Sequence, residues 1–321
     1  MIKTGFSSLV EDGLILVEER MRGHADKYHP DLRAAMEHLI SSGGKRVRPV
    51  LTLLTGRMFG ADSDHLVTLA AAIELLHTAT LVHDDLIDGS LLRRGIPTLN
   101  SAWSPAATVL TGDFIFSKAA ELAAETGSLD VMRIFSQTLG TIVTGEITQL
   151  FSRNHDANRE DYYNRIFAKT ASMFVLATRA AALLSRVDDG ALKSVETYGY
   201  HVGMAFQIVD DILDFTGDQV SVGKPVASDL RQGVITLPAI YYHEEKPDDE
   251  NMRAVLTGNV YNDEVMKTLV DAIRKSGVID RAMGEARSFI GKGIEAVRSL
   301  PQSAERGALI ELAEYVVNRD L

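Results

Sequence analysis

Apolar residues in this chain recur at three- and four-residue steps, as at Ile115, Ala119, Leu122 and Ala123, which is the spacing of one helix face. The β-branched alternation of strands is missing, so no sheet is expected. No proline stands between Ala106 and Lys224, a stretch in which the loops of an α/β protein would place several. Ser104 before Pro105 reads as an N-cap with proline at the first helical position, and it opens a helix that runs to about Glu125 before Gly127. The same signals predict helices over 6–23, 30–42, 47–59, 63–89, 129–153, 158–186, 190–217, 233–245, 262–276, 279–299 and 303–318. The run from Glu244 to Glu250 is expected to be an exposed loop. No Gly/Ser linker, low-complexity tract or short repeat divides the chain, so a single all-α domain over 1–321 is expected.

Charge changes this picture by excluding partners. With 33 Lys+Arg against 44 Asp+Glu the net charge is −11, which would repel a phosphate backbone, and nucleic acid is not an expected partner. Cysteine is absent, which excludes disulfides, thiolate nucleophiles and cysteine-ligated zinc and leaves a cytoplasmic location as the default. The first twenty residues, MIKTGFSSLVEDGLILVEER, lack the basic, apolar and small-residue blocks of a signal peptide. Glu74 interrupts the apolar run Leu69 to Leu76 and Arg179 the run Ala171 to Leu184, so no transmembrane segment is expected and the protein reads as soluble.

Two carboxylate clusters carry the candidate chemistry. In LVHDDLIDGS, Asp84 and Asp88 are four apart and project from one helix face, while Asp85 points about a quarter-turn away. FQIVDDILDFTGD repeats the device with Asp210, Asp211 and Asp214. Both clusters end an apolar helix, where the helix dipole disfavours anions and like charges one turn apart repel, so something positive should compensate. Oxygen donors without cysteine or paired histidines suit magnesium, which keeps waters and takes one or two carboxylates plus phosphate oxygens. A lone cluster of this kind is often a solvated helix end. Two copies, each followed by a charged, glycine-containing loop with two cations (Arg93 and Arg94 in 88–100, Lys224 and Arg231 in 218–233), point instead to several magnesium ions gathered around one diphosphate.

Cations stand where a second anionic substrate would need them. GGKRVRP, from Gly43 to Pro49, sets Lys45, Arg46 and Arg48 beside a glycine pair that lets backbone approach a phosphate. Arg93 and Arg94 follow the first cluster, and arginine grips phosphate oxygens with a two-pronged fork. Lys169 and Thr170 interrupt an apolar helix, as do Gln207 before the second cluster and His77 before the first. A different reading takes His83 and Asp84 as the HD pair of an all-α metal-dependent phosphohydrolase completed by His65 or His77, but it leaves the second cluster and Arg93/Arg94 unexplained.

The ordered set GGKRVRP, ELLHTATLVHDDLIDGSLLRRG, GDFIFSKA, GEITQL, AKTASMF, FQIVDDILDFTGD and GKPVASDLRQGVITLP resembles the trans-isoprenyl diphosphate synthases, or polyprenyl synthetases, from about residue 40 to 240. The resemblance implies a helical bundle around a deep apolar cavity and a homodimer. It implies that Lys45, Arg48, His77 and Arg94 hold isopentenyl diphosphate, and that Arg93, Lys169, Thr170, Gln207 and Lys224 hold an allylic diphosphate. By the same resemblance Asp84, Asp88 and Asp210 are direct magnesium ligands, with three ions per active site, while Asp85, Asp211 and Asp214 act through water or as supporting partners. One departure is Val234, where family members often carry a second lysine after the DLxxG turn.

The implied reaction breaks an allylic C–O bond, adds the double bond of isopentenyl diphosphate to the resulting carbocation, and needs no protein base because the released diphosphate takes the proton. Water must be kept out, which apolar walls do. Short-chain members of the family carry aromatic rings four and five positions before the first aspartate; here those positions are Thr80 and Ala79, with Leu76 a turn further back. That absence of bulk implies a product of C30 or longer, with transient membrane contact for its release. A non-catalytic regulatory subunit of a two-part synthase would share the fold, but such subunits usually lose an aspartate motif and this chain keeps both. Terpene cyclase or squalene-type chemistry would not need the isopentenyl site.

Overall fold

The computed structural model describes residues 5–23, 29–42, 44–93, 95–151, 157–217, 226–258 and 262–319. Its chain is almost wholly helical. The elements are α1 (Gly5–Ser8), α2 (Glu11–Arg22), α3 (Pro30–Ser41), α4 (Val47–Met58), α5 (Ser63–Ile87), β1 (Leu92–Arg93), β2 (Ile96–Pro97), α6 (Leu99–Ala102), α7 (Pro105–Glu125) and α8 (Leu129–Phe151). There follow α9 (Arg159–Ile166), a five-residue π-helical turn (Phe167–Ala171), α10 (Ser172–Leu183), α11 (Asp189–Thr216), α12 (Ser228–Arg231) and α13 (Leu237–Glu245). The chain closes with α14 (Glu250–Leu256), α15 (Asp263–Lys275), α16 (Val278–Arg298) and α17 (Ala304–Asn318). Two compact units result, one of residues 1–139, 173–199 and 295–312, the other of 140–172, 200–294 and 313–321.

In the first unit the centre is α5, which packs most extensively on α7 and also on α4 and α2. Its residues Leu66, Leu69, Ile73, Leu75 and Leu76 are buried, and each such side chain removed from water contributes about 1.5–3 kcal/mol. Glu74 sits in this apolar helix because Arg46 meets it, Nη1 to Oε1 at 2.8 Å, with both side chains buried. Burial would by itself lower the Arg46 pKa, but Glu74 and Glu18 outweigh it and hold the guanidinium above its usual value. Arg46 also takes a left-handed backbone conformation, φ 47°, as it turns into α4. The second unit buries Tyr162, Ile208, Ile212 and Phe215 and carries α15, whose buried Met266, Leu269, Val270 and Ile273 lie at helical spacing.

Several expected boundaries hold and several shift. Ser104 caps α7 as expected, its Oγ accepting from the Ala107 N–H at 3.3 Å, and the helix spans Pro105–Glu125. The helix expected over 233–245 begins only at Leu237, because Pro238 is accommodated in the first turn and Thr236 stays extended. The expected 6–23 helix breaks between α1 and α2, and the 158–186 helix contains the π turn. Contrary to expectation there is a sheet, a two-residue antiparallel hairpin pairing Leu92 with Pro97 and Arg93 with Ile96; it is too short to show alternation in the sequence. An unexpected helix, α14, follows the exposed turn after Glu245, capped by Asp249, whose Oδ1 accepts from the Met252 N–H at 2.9 Å.

By length and composition two helical stretches could cross a membrane, Ser63–Ile87 and Arg159–Leu183, despite Glu74 and Arg179. Their apolar windows are 78% and 72% buried inside the protein, as in the core helices of a large bundle.

Candidate active site

The first aspartate motif closes α5. Asp84 is half-buried, Asp88 is exposed at the helix end, and the Asp88 N–H donates to the Asp84 carbonyl at 2.8 Å. Asp85 points inward. The β1–β2 hairpin folds the following basic loop back upon it, so that Arg93 Nε donates to both Asp85 oxygens at 2.9 and 3.0 Å and Nη2 lies 2.8 Å from Oδ1. This ion pair supplies the positive charge that an acidic helix C-terminus needs. Arg93 remains partly exposed, its side chain 38% accessible. Arg94 and Gly43 lie outside the described residues.

Structure sorts the cations of GGKRVRP. Arg46, which stands between the two candidates, faces the core, where it bonds Glu74, Glu18 and the Ile40 carbonyl. Lys45 is exposed, and Arg48 is half-buried with its guanidinium carbon 5.3 Å from the centre of the Phe174 ring. His77 is half-buried on α5. On the same helix Leu76 and Ala79 are fully buried, whereas Thr80 keeps accessible surface and donates its hydroxyl to the His77 carbonyl at 2.7 Å. Of the three chain-length candidates, Thr80 is therefore the one that keeps accessible surface.

His83 does not act as half of an HD pair. Its Nε2 lies 3.2 Å from the Val109 carbonyl oxygen and 3.6 Å from Asp113 Oδ1, both on α7, and its ring tilts against Phe116. His65 is exposed beside Asp62.

The second aspartate motif closes α11 in a different setting. Asp211 is buried and accepts from Tyr162 Oη and Gln207 Nε2, each at 2.7 Å. The other end of the Gln207 amide accepts from Thr170 Oγ1 at 2.6 Å, so Thr170, Gln207, Asp211 and Tyr162 form one chain of hydrogen bonds. Burial, together with the charge of Asp229, pushes the Asp211 pKa up to about 8 even though Tyr162 and Gln207 oppose the shift. Burial and the neighbouring Asp211 carboxylate likewise raise the Tyr162 phenol well above its usual value. Asp214 turns to the backbone: its Oδ1 accepts from the Ser228 N–H at 3.1 Å and its Oδ2 from the Asp229 N–H at 3.2 Å, tying down the start of α12. Asp210 is left half-exposed and carries an ion pair with Arg319, 2.7 Å from Oδ1.

Lys169 and Thr170 lie in the π turn between α9 and α10, and such turns re-aim side chains within a helix. The Lys169 ammonium is 2.9 Å from Glu146 Oε1 on α8. Gly145 permits that approach, since a Cβ there would stand 2.6 Å from the Ala168 Cβ. Lys224, with the rest of 218–225, lies outside the described residues. Val234 is half-buried, and its N–H donates to the Asp229 carbonyl at 2.8 Å, so the DLRQG turn is held by backbone bonds that any residue other than proline could make.

Among the described residues, no three His, Asp or Glu side chains are gathered closely enough to hold a metal ion alone. An ion that takes one or two carboxylates and fills its remaining positions with water and phosphate oxygens fits this arrangement, and the donors present are all hard oxygens. Asp84 in the first unit and Asp210 in the second are each partly accessible at the end of a buried helix, with carboxylate oxygens of that kind to offer.

Three partners escaped the sequence reading. Glu146 stood within GEITQL without a role, Tyr162 reaches Asp211 from 49 positions away, and Arg319 arrives from the far end of the chain. Only Glu146 had a local signal, a carboxylate beside glycine in a mostly apolar helix.

The polyprenyl synthetase family model matches residues 29–273. Heptaprenyl diphosphate synthase component 2 of Geobacillus stearothermophilus is 36% identical over 322 residues, covering 99% of each chain. Octaprenyl diphosphate synthase of Escherichia coli is 37% identical over 287 residues, covering 88% of each. The crystal structure of polyprenyl synthase from Caulobacter crescentus, complexed with calcium and isoprenyl diphosphate, matches with a TM-score of 0.89 at 36% identity, over 98% of this chain and 97% of that one. The chain belongs to the polyprenyl synthetase family, the trans-isoprenyl diphosphate synthases. It is a prenyltransferase with that family's all-α fold.

Proposed function

We propose that this protein condenses isopentenyl diphosphate head to tail with an allylic diphosphate and continues to an all-trans product of C30 or longer. The observation that carries this reading is the pair of intact aspartate motifs, each ending a buried helix with Asp84 or Asp210 left accessible while its inner neighbour, Asp85 or Asp211, is held from within the protein.

Both motifs act on the allylic diphosphate, with Arg93, Lys169, Thr170, Gln207 and Lys224 binding its oxygens. Lys45, Arg48, His77 and Arg94 hold isopentenyl diphosphate. Asp84, Asp88 and Asp210 would hold magnesium, three ions in this reading, and the metal would supply charge neutralisation of the diphosphate as its leaving oxygen becomes anionic. Cationic side chains add to that stabilisation and orient the two substrates, and apolar helix faces around a cavity keep water from the allylic cation. Burial of each added unit, at about 0.8 kcal/mol per CH2, favours elongation while space lasts. One synthetase domain spanning the whole chain is part of this reading and is supported by a family match that runs through both compact units.

A homodimer completes the proposal. Its support is an exposed apolar stripe on α8, formed by Val143, Ile147, Leu150 and Phe151. The enzyme would work in the cytoplasm on water-soluble diphosphates and touch a membrane transiently to release its apolar product; cell fractionation checks the location.

The test is incubation of purified protein with magnesium, labelled isopentenyl diphosphate and each allylic starter from C5 to C20, followed by chromatographic sizing. Products of six or more isoprene units are expected. No condensation with any starter would leave the non-catalytic subunit as the better reading. Thr80→Phe should shorten the product, and an unchanged distribution would remove Thr80 as a depth determinant. Sedimentation should give twice the chain mass of 35.1 kDa.

A further inference from the structure

Arg319 follows the last residue of α17 and is buried, its side chain 5% exposed. Its Nη2 donates to the Phe206 carbonyl at 2.7 Å and lies 2.7 Å from Asp210 Oδ1, and the guanidinium carbon sits 4.1 Å from the centre of the Phe206 ring. Its Nε is buried and makes no hydrogen bond. Taking a guanidinium out of water is costly unless charge and hydrogen bonds compensate, and here one carboxylate, one carbonyl and one ring face do so. The carboxylate is the notable partner, because Asp210 still keeps 41% of its side chain exposed. One of its oxygens, Oδ1, is thus held from the protein side while the carboxylate remains open to solvent.

We propose that Arg319 is a positioning residue of the second aspartate motif, fixing the Asp210 carboxylate in one orientation before the metal–diphosphate arrives, so that the residue just beyond α17 completes the site. This rests on the reading of Asp210 as a magnesium ligand. Two physical reasons support it. Asp210, Asp214 and Asp229 crowd negative charge around the carbonyl end of α11, where the helix dipole also disfavours anions, and a fixed cation relieves both. Groups that hydrogen-bond a metal ligand set its orientation, and their loss typically lowers metal affinity about 10- to 100-fold. A mere latch for the end of α17 would need only the Phe206 ring and carbonyl.

The experiment uses full-length protein and measures manganese affinity in the presence of inorganic pyrophosphate, without isopentenyl diphosphate, by calorimetry or by electron paramagnetic resonance. Thermal unfolding in chelator is followed in parallel. Arg319→Gln should weaken manganese binding about 10-fold. Arg319→Lys keeps the charge but loses the planar guanidinium and its stacking on Phe206, and its manganese affinity should fall between those of the unaltered protein and Arg319→Gln; it also decides the matter if Arg319→Gln does not fold. Phe206→Leu, which removes the stacked ring and leaves Asp210 in place, should lower thermal stability with little change in manganese affinity. Unchanged manganese affinity in both Arg319 variants, with only a lower melting temperature, would show a latch and overturn the proposal. Tighter binding in the variants would also overturn it, since Arg319 would then be a competitor of the metal. If the unaltered protein binds no manganese with pyrophosphate, the metal reading of Asp210 falls first and this inference falls with it.

Discussion

In the first aspartate motif the inner residue, Asp85, is met by a half-exposed Arg93 from a hairpin only eight positions away. In the second, the equivalent Asp211 is buried under two neutral donors, Tyr162 and Gln207, with its pKa pushed up to about 8. One pattern, DD-aliphatic-aliphatic-D, is therefore supported by a local ion pair in one place and by a long-range network of neutral groups in the other. The difference teaches that the spacing of the aspartates specifies which residues reach solvent, while the means of holding the inner carboxylate is free to vary with the surrounding core.

The comparison breaks most sharply at the residues the motifs share. Asp84→Ala and Asp210→Ala should each lower kcat by roughly 10^2- to 10^3-fold, the scale of losing one transition-state charge stabiliser. Isopentenyl diphosphate affinity, read by equilibrium dialysis, should change little. Near-normal turnover in either variant would end the assignment of that motif to the metal.

Stability should then separate the inner residues. Asp211→Ala leaves the buried Tyr162 hydroxyl, and the half-buried Gln207 amide, without their acceptor, and should cost about 3 kcal/mol in urea unfolding. The same carboxyl should make the stability of metal-free protein depend on pH. Its folded pKa lies above the unfolded value, so its contribution is full below about pH 4 and is lost as pH rises toward 8. Unfolding in chelator should show that decline for the unaltered protein, and Asp211→Asn should remove this part of it. Asp85→Ala, which frees an arginine already partly in water, should cost only about 1 kcal/mol. Equal losses at the two positions would mean that their environments matter less than the geometry suggests.

Much of this site was legible because its parts are local. Asp84 and Asp88, or Asp210 and Asp214, are four apart on helices whose apolar spacing is plain in the sequence, so their common face follows from helix geometry alone. Ser104 and Pro105 placed the start of α7 for the same reason. The π turn that carries Lys169 was not legible, since it differs from an α-helix by one extra residue per turn and leaves no compositional mark. Charge and spacing alone do not separate Arg46 from Arg48 in GGKRVRP, and only the family resemblance singled out Arg48; their separation into a core ion pair and a half-buried cation depends on where Glu74 lies.

By itself the sequence determined the helical class, the two carboxylate motifs and the family, because periodicity, capping and short motifs are written within a few residues of one another. Tertiary structure alone decided which cation belongs to which carboxylate: Arg93 to Asp85, Arg46 to Glu74, Lys169 to Glu146 and Arg319 to Asp210. The physical reason is that a charge finds its partner by distance and desolvation, and in the last of these pairs the two residues are brought together from positions 109 apart in the chain.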